Sequence, residues 1–149
     1  MNRHIRMARI QDAERICELN RGSLGYDFPE DKTTQRLEVI LSLESDRIYV
    51  AEYDGIVVGY IHGSRYECTY SESFKNILAL AVDEKYRGKS IGRDLLTEIE
   101  EWAKEDNCTG VRLVSGMNRV NAHKFYLHCG YMDRKDQKNF YKYFGDRRQ

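Results

Sequence analysis

Residues 77–96, ILALAVDEKYRGKSIGRDLL, constrain the fold more than any other stretch of the chain. Ile77-Leu78-Ala79-Leu80-Ala81-Val82 is an unbroken apolar run, the pattern of a strand buried on both faces. The chain then turns polar through Asp83, Glu84, Lys85 and Tyr86 and enters Arg87-Gly88-Lys89-Ser90-Ile91-Gly92. Beyond it, Leu95, Leu96, Ile99, Trp102 and Ala103 recur at three- and four-residue steps, a helical period. A buried strand therefore feeds a glycine-containing turn, and the turn opens a helix. Such a turn lets the backbone approach a ligand closely, and the unpaired amides of the first helical turn point at whatever sits there. Those amides and the positive end of the helix dipole suit an anion, most often a phosphate. Arg87, Lys89 and Arg93 add three cations around the same turn. The expectation is an anion site. The plain alternative is a tight connection carrying solvated charges, because a lone glycine-rich turn is a weak signal.

Spacing excludes two nucleotide loops. A Walker loop needs Gly-x-x-x-x-Gly-Lys-Ser/Thr, and no lysine followed by Ser or Thr comes after Gly92. A dinucleotide fingerprint needs Gly-x-Gly-x-x-Gly, whereas here Gly88 is followed by Gly92.

The length of 149 residues fits one domain, residues 1–149, with room for a real core. A formal charge of zero gives no reason to expect a nucleic-acid or anionic-membrane partner. No apolar run approaches the roughly 20 residues of a membrane span, and Met1 to Arg6 lack the apolar core of a signal peptide. Cys17, Cys68, Cys108 and Cys129 are scattered without Cys-x-x-Cys spacing. That pattern argues for reduced thiols in a cytoplasmic protein and against a disulfide or metal framework.

In chain order, alternation in residues 5–8 marks a short strand. Asp12 is placed to cap a helix carrying Ala13, Ile16, Cys17 and Leu19 on one face. Residues 21–31, with Gly22, Gly25 and the lone Pro29, read as a loop. Its Tyr26 and Phe28 either fold over a pocket or anchor the loop on the core. A second helix is expected over 32–43, burying Leu37, Ile40, Leu41 and, at its end, Leu43. Strands 48–53 and 56–63 flank Asp54-Gly55, a strong two-residue hairpin signal. Residues 65–73 connect this hairpin to a central strand over 75–82. A helix over 92–107, a strand over 110–115 and a short helix over 121–129 follow, the last ended by Gly130 as a C-terminal cap. Residues 131–134 and 140–144 are expected to close the chain as a strand pair. The order implies an α/β fold with a largely antiparallel front and a parallel step across the long helix.

The run Leu80-Ala81-Val82 followed by Arg87-Gly88-Lys89-Ser90-Ile91-Gly92 resembles the acyl-CoA loop of the GCN5-related N-acetyltransferases, the GNAT superfamily. That loop reads Arg/Gln-x-x-Gly-x-Gly/Ala after a Leu-x-Val strand, and Ser90 stands where its middle glycine usually sits. A serine still presents its amide, on the expectation that φ there stays below zero. A second stretch, Ala122, Phe125, Tyr126, Gly130 and Tyr131, resembles the family signature Ala-x-x-Phe-Tyr-x-x-x-Gly-Phe/Tyr. Where the family often has an asparagine this chain has Arg119, flanked by Asn118 and Asn121, either of which can supply the amide contact to the cofactor.

The resemblance implies the GNAT fold: a mixed, mostly antiparallel central sheet flanked by helices, with two parallel strands splayed apart at the acyl-CoA site. It implies acetyl-CoA as acyl donor, without a metal. Amides of Arg87, Gly88, Lys89, Ser90, Ile91 and Gly92 would hold the pyrophosphate, and the strand at Leu80, Ala81 and Val82 would stabilise the thioester oxygen. Transfer to an amine poses two proton problems, because the amine must attack neutral and the thiolate leaves better protonated. A phenol of pKa about 10 donating to a thiolate whose conjugate acid lies near about 8.5 is uphill by roughly 2 kcal/mol. Tyr126 is therefore the candidate general acid, against the plainer reading of Phe125-Tyr126 as a packed aromatic pair. For the base, the family often has an acid in the central strand, where this chain has Ile77, Leu78 and Ala79. Glu67, Glu72 and His62 are the alternatives, with Glu72 first because it lies just ahead of the strand; a solvated loop carboxylate is its plainer reading.

The reading is a CoA-dependent N-acetyltransferase using direct attack in a ternary complex, and Cys129 leaves an acetyl-enzyme route open. The alternative from another class is a GNAT-fold module that senses acyl-CoA without turnover. Glu30, Asp31, Glu67 and Glu72 suit a cationic small-molecule amine, aminoglycoside- or polyamine-like, slightly ahead of a peptide N-terminus. A homodimer through edge strands is consistent with the resemblance.

Overall fold

A computed structural model describes residues 2–145. The chain divides between Val114 and Ser115 into two compact units. The first contains β1 (Arg3–Met7), α1 (Ala13–Leu19), α2 (Glu30–Leu41), β2 (Asp46–Tyr53), β3 (Ile56–Tyr66), β4 (Phe74–Val82), α3 (Ile91–Glu105) and β5 (Gly110–Leu113). Its five strands form one sheet in sequence order. β1, β2, β3 and β4 are joined antiparallel, and β5 lies parallel to β4 across α3. This is the mixed α/β architecture expected from the order of apolar periods.

One face of the sheet packs under α1 and α2, where Ile16, Leu19 and Leu37 meet Ile48, Val50, Tyr60 and Ala81. α3 covers the other face with Ile91, Leu95, Leu96, Ile99, Trp102 and Ala103, all buried and all on one helical stripe. The closeness of that packing explains Gly63: a Cβ there would lie 2.7 Å from Ile99 Cδ1. Lys75 on β4 is 1 % exposed, yet its ammonium reaches Asp106 at 2.6 Å and lies 4.0 Å from the Trp102 ring centroid. The partners are what allow a lysine to be buried.

Several boundaries differ from the sequence reading. The helix after Asp12 does not stop at Leu19 but continues as a π-helical turn, Asn20–Leu24, ended by Gly25 at φ 78°. Only residues 25–29 remain irregular before α2 begins directly after Pro29, whose fixed φ suits the position ahead of a first turn. α2 ends at Leu41, and both Leu41 and Leu43 are exposed rather than buried. Asp12 does not cap α1 through its side chain. Its Oδ2 instead accepts the Arg9 amide at 2.8 Å, and both oxygens take the Arg6 guanidinium at 2.8 Å. The Asp54-Gly55 hairpin is as expected, with φ of 52° and 82° at the two turn residues.

In the second unit α4 (Val120–His128) is the one regular element among the described residues. Gly130 follows at φ 93° and the Tyr131 amide donates to the Tyr126 carbonyl at 3.0 Å, closing the helix end. The expected strands over 131–134 and 140–144 are absent; residues 131–145 carry no strand or helix. Phe140, Tyr141 and Phe144 are largely exposed. A lone two-stranded ribbon without a covered apolar face has little to hold it together.

Candidate functional site

The site begins with a mismatch of strand lengths. β5 pairs with β4 only from Phe74↔Gly110 to Ile77↔Leu113, while β4 continues to Val82. From Leu78 to Val82 the edge of β4 turned away from β3 thus has no strand partner among the described residues, although its other edge stays paired with β3 through Val82. Leu80, Ala81 and Val82 all lie in that free-edged stretch. The parting coincides with a register shift between His62 and Gly63, where Leu78 is the extra residue of β4. A bulge bends its strand and frees backbone groups from the ladder.

Directly after β4 comes the turn. Asp83 accepts the Lys85 amide at 3.0 Å and opens a short 3-10 turn, Glu84–Tyr86. The Lys85 amide, with the Arg15 guanidinium at 3.2 Å, holds the Asp83 carboxyl below the ordinary carboxylate range against the opposing effect of burial. Arg15 also donates to the Val57 carbonyl at 2.8 Å, so α1 ties β3 to the start of the turn. Gly88 has φ 80°, a conformation only glycine adopts without cost. At the far end Arg3 of β1 donates to the Lys89 carbonyl and pairs with Asp94 at 2.7 Å. Arg87, Lys89 and Arg93 are exposed, and the Arg87 guanidinium lies 3.4 Å from Ser23 Oγ of the π-helical turn. The amides of Ile91, Gly92 and Arg93 have no intrahelical acceptor, so the first turn of the 15-residue α3 presents free donors, with Arg87, Lys89 and Arg93 close by in sequence.

Ser90 departs from expectation. It precedes α3 at φ 65° and ψ 15°, left-handed where φ below zero was anticipated. The reversal from turn to helix needs that conformation whatever residue occupies it. A non-glycine residue there carries about 1–2 kcal/mol of strain. Ser90→Gly is therefore expected to raise the unfolding free energy by about 0.5 kcal/mol, the relief being partly offset by the larger chain entropy of glycine. Ser90→Val should lower it instead, since a β-branched side chain tolerates the left-handed region least. Urea denaturation of the two variants beside the parent reads both effects.

On the face covered by α1 and α2 lies a cavity of about 190 Å³. Its walls include Ile16, Phe28, Leu37 and Ile48, and Asn20, Tyr60 and His62 bring polar atoms to it. Tyr60 donates to Asn20, and burial pushes its phenol well above the ordinary range. Phe28 of the 21–31 segment thus lines a pocket, while Tyr26 is 65 % exposed. His62 Nε2 sits 2.7 Å from Asp46 Oδ2, with both side chains nearly buried.

The other sequence candidates sit on the connection before β4 and in the second unit. Glu72 is exposed in the connection before β4, and its carbonyl accepts the Ser71 hydroxyl at 3.0 Å. Glu67 is engaged by the Ser73 hydroxyl at 2.7 Å. In the second unit, Tyr126 packs edge-on to Phe125 at 5.3 Å and against Tyr131 at 5.8 Å. Burial pushes its phenol up, the nearby Arg119 pulls it partly back and Cys129 adds to the rise, so the hydroxyl stays protonated through neutral pH. Asn118 precedes α4 and Asn121 lies in its first turn, both exposed. No local pattern points to Arg3, Arg15 or Asp46, because each acts on a group far along the chain. Among the described residues no helix is long and apolar enough to cross a membrane.

The profile of the acetyltransferase (GNAT) family matches residues 13–131. An uncharacterized N-acetyltransferase of Methanocaldococcus jannaschii is 32% identical over 139 residues, covering 93% of this chain and 83% of its own. An N-alpha-acetyltransferase of Sulfurisphaera tokodaii is 30% identical over 146 residues, covering 92% and 84%. Among solved structures, AAC(6')-Iy in complex with the bisubstrate analogue CoA-S-monomethyl-acetylneamine superposes with a TM-score of 0.84 at 17% identity, over 97% of this chain and 100% of that one.

Proposed function

The chain belongs to the acetyltransferase (GNAT) family and is an acyltransferase, and from that premise we propose that it moves an acetyl group from acetyl-CoA to a primary amine by direct attack. The single observation that carries this reading is the parting of β4 from β5 ahead of the turn that opens α3. An extended pantetheine arm fits an unpaired strand edge as an added strand would, by main-chain hydrogen bonds. The pyrophosphate then meets the amides of Arg87 to Gly92 and the α3 dipole. In this reading an amide among Leu80, Ala81 and Val82 receives the thioester oxygen as it gains charge. Asn118 or Asn121 adds a side-chain amide to the cofactor, and Tyr126 donates to the departing sulfur. Motif position supports these last roles, as does the raised phenol, which remains a donor throughout the working range.

A small-molecule amine is the preferred acceptor, ahead of a peptide N-terminus. The bisubstrate complex of the structural neighbour carries an aminoglycoside-derived acceptor, and the relative from Sulfurisphaera tokodaii keeps the peptide terminus in the comparison. The test is thiol release from acetyl-CoA against aminoglycosides, polyamines, amino acids and short peptides, with Tyr126→Phe beside the parent. Turnover on one of these amines, falling at least about tenfold in the variant as loss of a general acid should give, is the expected result. Acetyl-CoA binding by calorimetry without turnover on any amine would favour a sensor, and no binding would overturn both.

A further inference from the structure

We propose that His62, held by Asp46, is the base that takes the proton from the acceptor amine; this rests on the acetyl-transfer reading. Three observations converge on it. His62 stands opposite Ala79 in the β3–β4 ladder, two positions beyond Ile77, the last β4 residue paired with β5. It is therefore on the strand next to the free-edged part of β4, at the level where the edge opens. Its side chain lines the cavity under α1 and α2, as do Tyr60 and Asn20, so an amine entering that cavity meets the imidazole. Finally, the ring is fixed: Nε2 lies 2.7 Å from Asp46 Oδ2, with side-chain exposures of 11% and 13%.

The pairing assigns the tautomer. A carboxylate accepts from Nε2–H, which leaves the lone pair on Nδ1. Among the described residues Nδ1 has no hydrogen-bond partner, and it is not among the buried atoms left without one, so water or a ligand reaches it. A buried histidine kept only for packing has no need of an open acceptor nitrogen. The charged and titratable groups facing the ring are few. Asp46 comes from β2, Tyr60 from β3 with its hydroxyl committed to Asn20, and Arg36 from α2 at the cavity wall. α1 contributes the neutral Ile16, and β4 presents Ala79.

In the proposed step the ammonium gives one proton to Nδ1, directly or through one water, and the imidazolium is stabilised by Asp46. The neutral nitrogen then forms the C–N bond to the thioester carbon. The C–S bond breaks as the tetrahedral intermediate gives up its second N–H proton, which replaces through water the one that the Tyr126 hydroxyl donates to the departing thiolate. The balance is amide, free CoA thiol and one proton released from His62 to solvent. His62 is a catalytic residue in this scheme and Asp46 a positioning residue. Glu72, exposed on the connection before β4, is the competing carboxylate.

The experiment follows kcat and KM against pH for the parent, His62→Gln, Asp46→Asn, Asp46→Glu and Glu72→Gln, with acetyl-CoA affinity by calorimetry as the fold control. Removal of a general base costs about 100-fold or more in rate. The expected pattern is that loss in kcat for His62→Gln, with acetyl-CoA affinity within twofold and the acid limb of the pH profile gone. Asp46→Asn should lose about tenfold and Asp46→Glu recover part of it. A weakly basic aromatic amine, already neutral at the assay pH, should bring His62→Gln back to within a few-fold of the parent. If His62→Gln does not fold, the Asp46 pair and the aromatic amine carry the same comparison. An active parent with unchanged His62→Gln, or with the loss appearing in Glu72→Gln instead, overturns the assignment. A parent inactive on every amine overturns the transfer reading itself.

Discussion

Asp12→Ala is expected to lower the unfolding free energy by about 3 kcal/mol, the lower end of the range for breaking a buried ion pair from one side. The Asp12 side chain is 7% exposed and takes both forks of Arg6, itself 19% exposed, as well as the Arg9 amide. Removing it strands an amide and leaves a guanidinium short of its main partner. Glu52, 2.7 Å from the same guanidinium, keeps the cost from the upper end of the range. The charge also makes a prediction in pH. Burial would push the Asp12 carboxyl up, but Arg6 and the Arg9 amide outweigh burial and hold it below its ordinary value of 3.8. Its contribution is therefore complete above about pH 3.8, the unfolded value, and is lost as pH falls through the lower folded value. Urea titrations at pH 7 and at successively lower pH should show the gap between parent and Asp12→Ala closing in acid. A gap that stays constant to the lowest pH would remove the ion pair as its cause.

Leu95→Ala is expected to cost about 3–4 kcal/mol, within the span for large-to-small changes in a core. Leu95 is fully buried, and its Cδ1 lies 3.3 Å from where a Cβ on Gly59 would be. Gly59 has no side chain to move into the space, so the cavity stays open and the loss sits in the upper half of the range. Its position gives a second consequence. Leu95 lies in the first turns of α3, beneath the amides proposed for the pyrophosphate, and holds that helix start on the sheet. The variant should therefore raise the KM for acetyl-CoA several-fold at temperatures where it remains folded. Calorimetric denaturation measures the first effect and acetyl-CoA titration the second. A stability loss with unchanged KM would mean that the turn is fixed by Arg3 and Arg15 rather than by this packing.

The stretch that organises the fold was readable because its signals are local. Six apolar residues in a row specify β4, and the three- and four-residue recurrence from Leu95 to Ala103 specifies the buried face of α3. Arg87, Gly88 and Gly92 marked the turn between strand and helix, in which the structure places Gly88 in the left-handed region. Less readable was Ser90, whose serine identity hides a backbone demand usually signalled by glycine. The strands expected after Tyr131 misled for a different reason: Phe140, Tyr141 and Phe144 have strand propensity, but propensity without a face to cover does not make a strand.

By itself, then, the sequence determined the α/β order, the strand–turn–helix unit and the family, all of which are written in periods and spacings of a few residues. The tertiary structure decided where β5 releases β4, since that depends on the length of one strand relative to another. It also decided which groups hold the turn, Arg3 reaching across to Lys89 and Arg15 to Asp83. The pairing of His62 with Asp46 belongs to the same class, because only the β2–β3 register brings the two side chains to one face. The physical reason is common to all three. A contact between residues distant in sequence is chosen by sheet register and helix docking, and these minimise the energy of the whole core rather than of any segment that a local pattern describes.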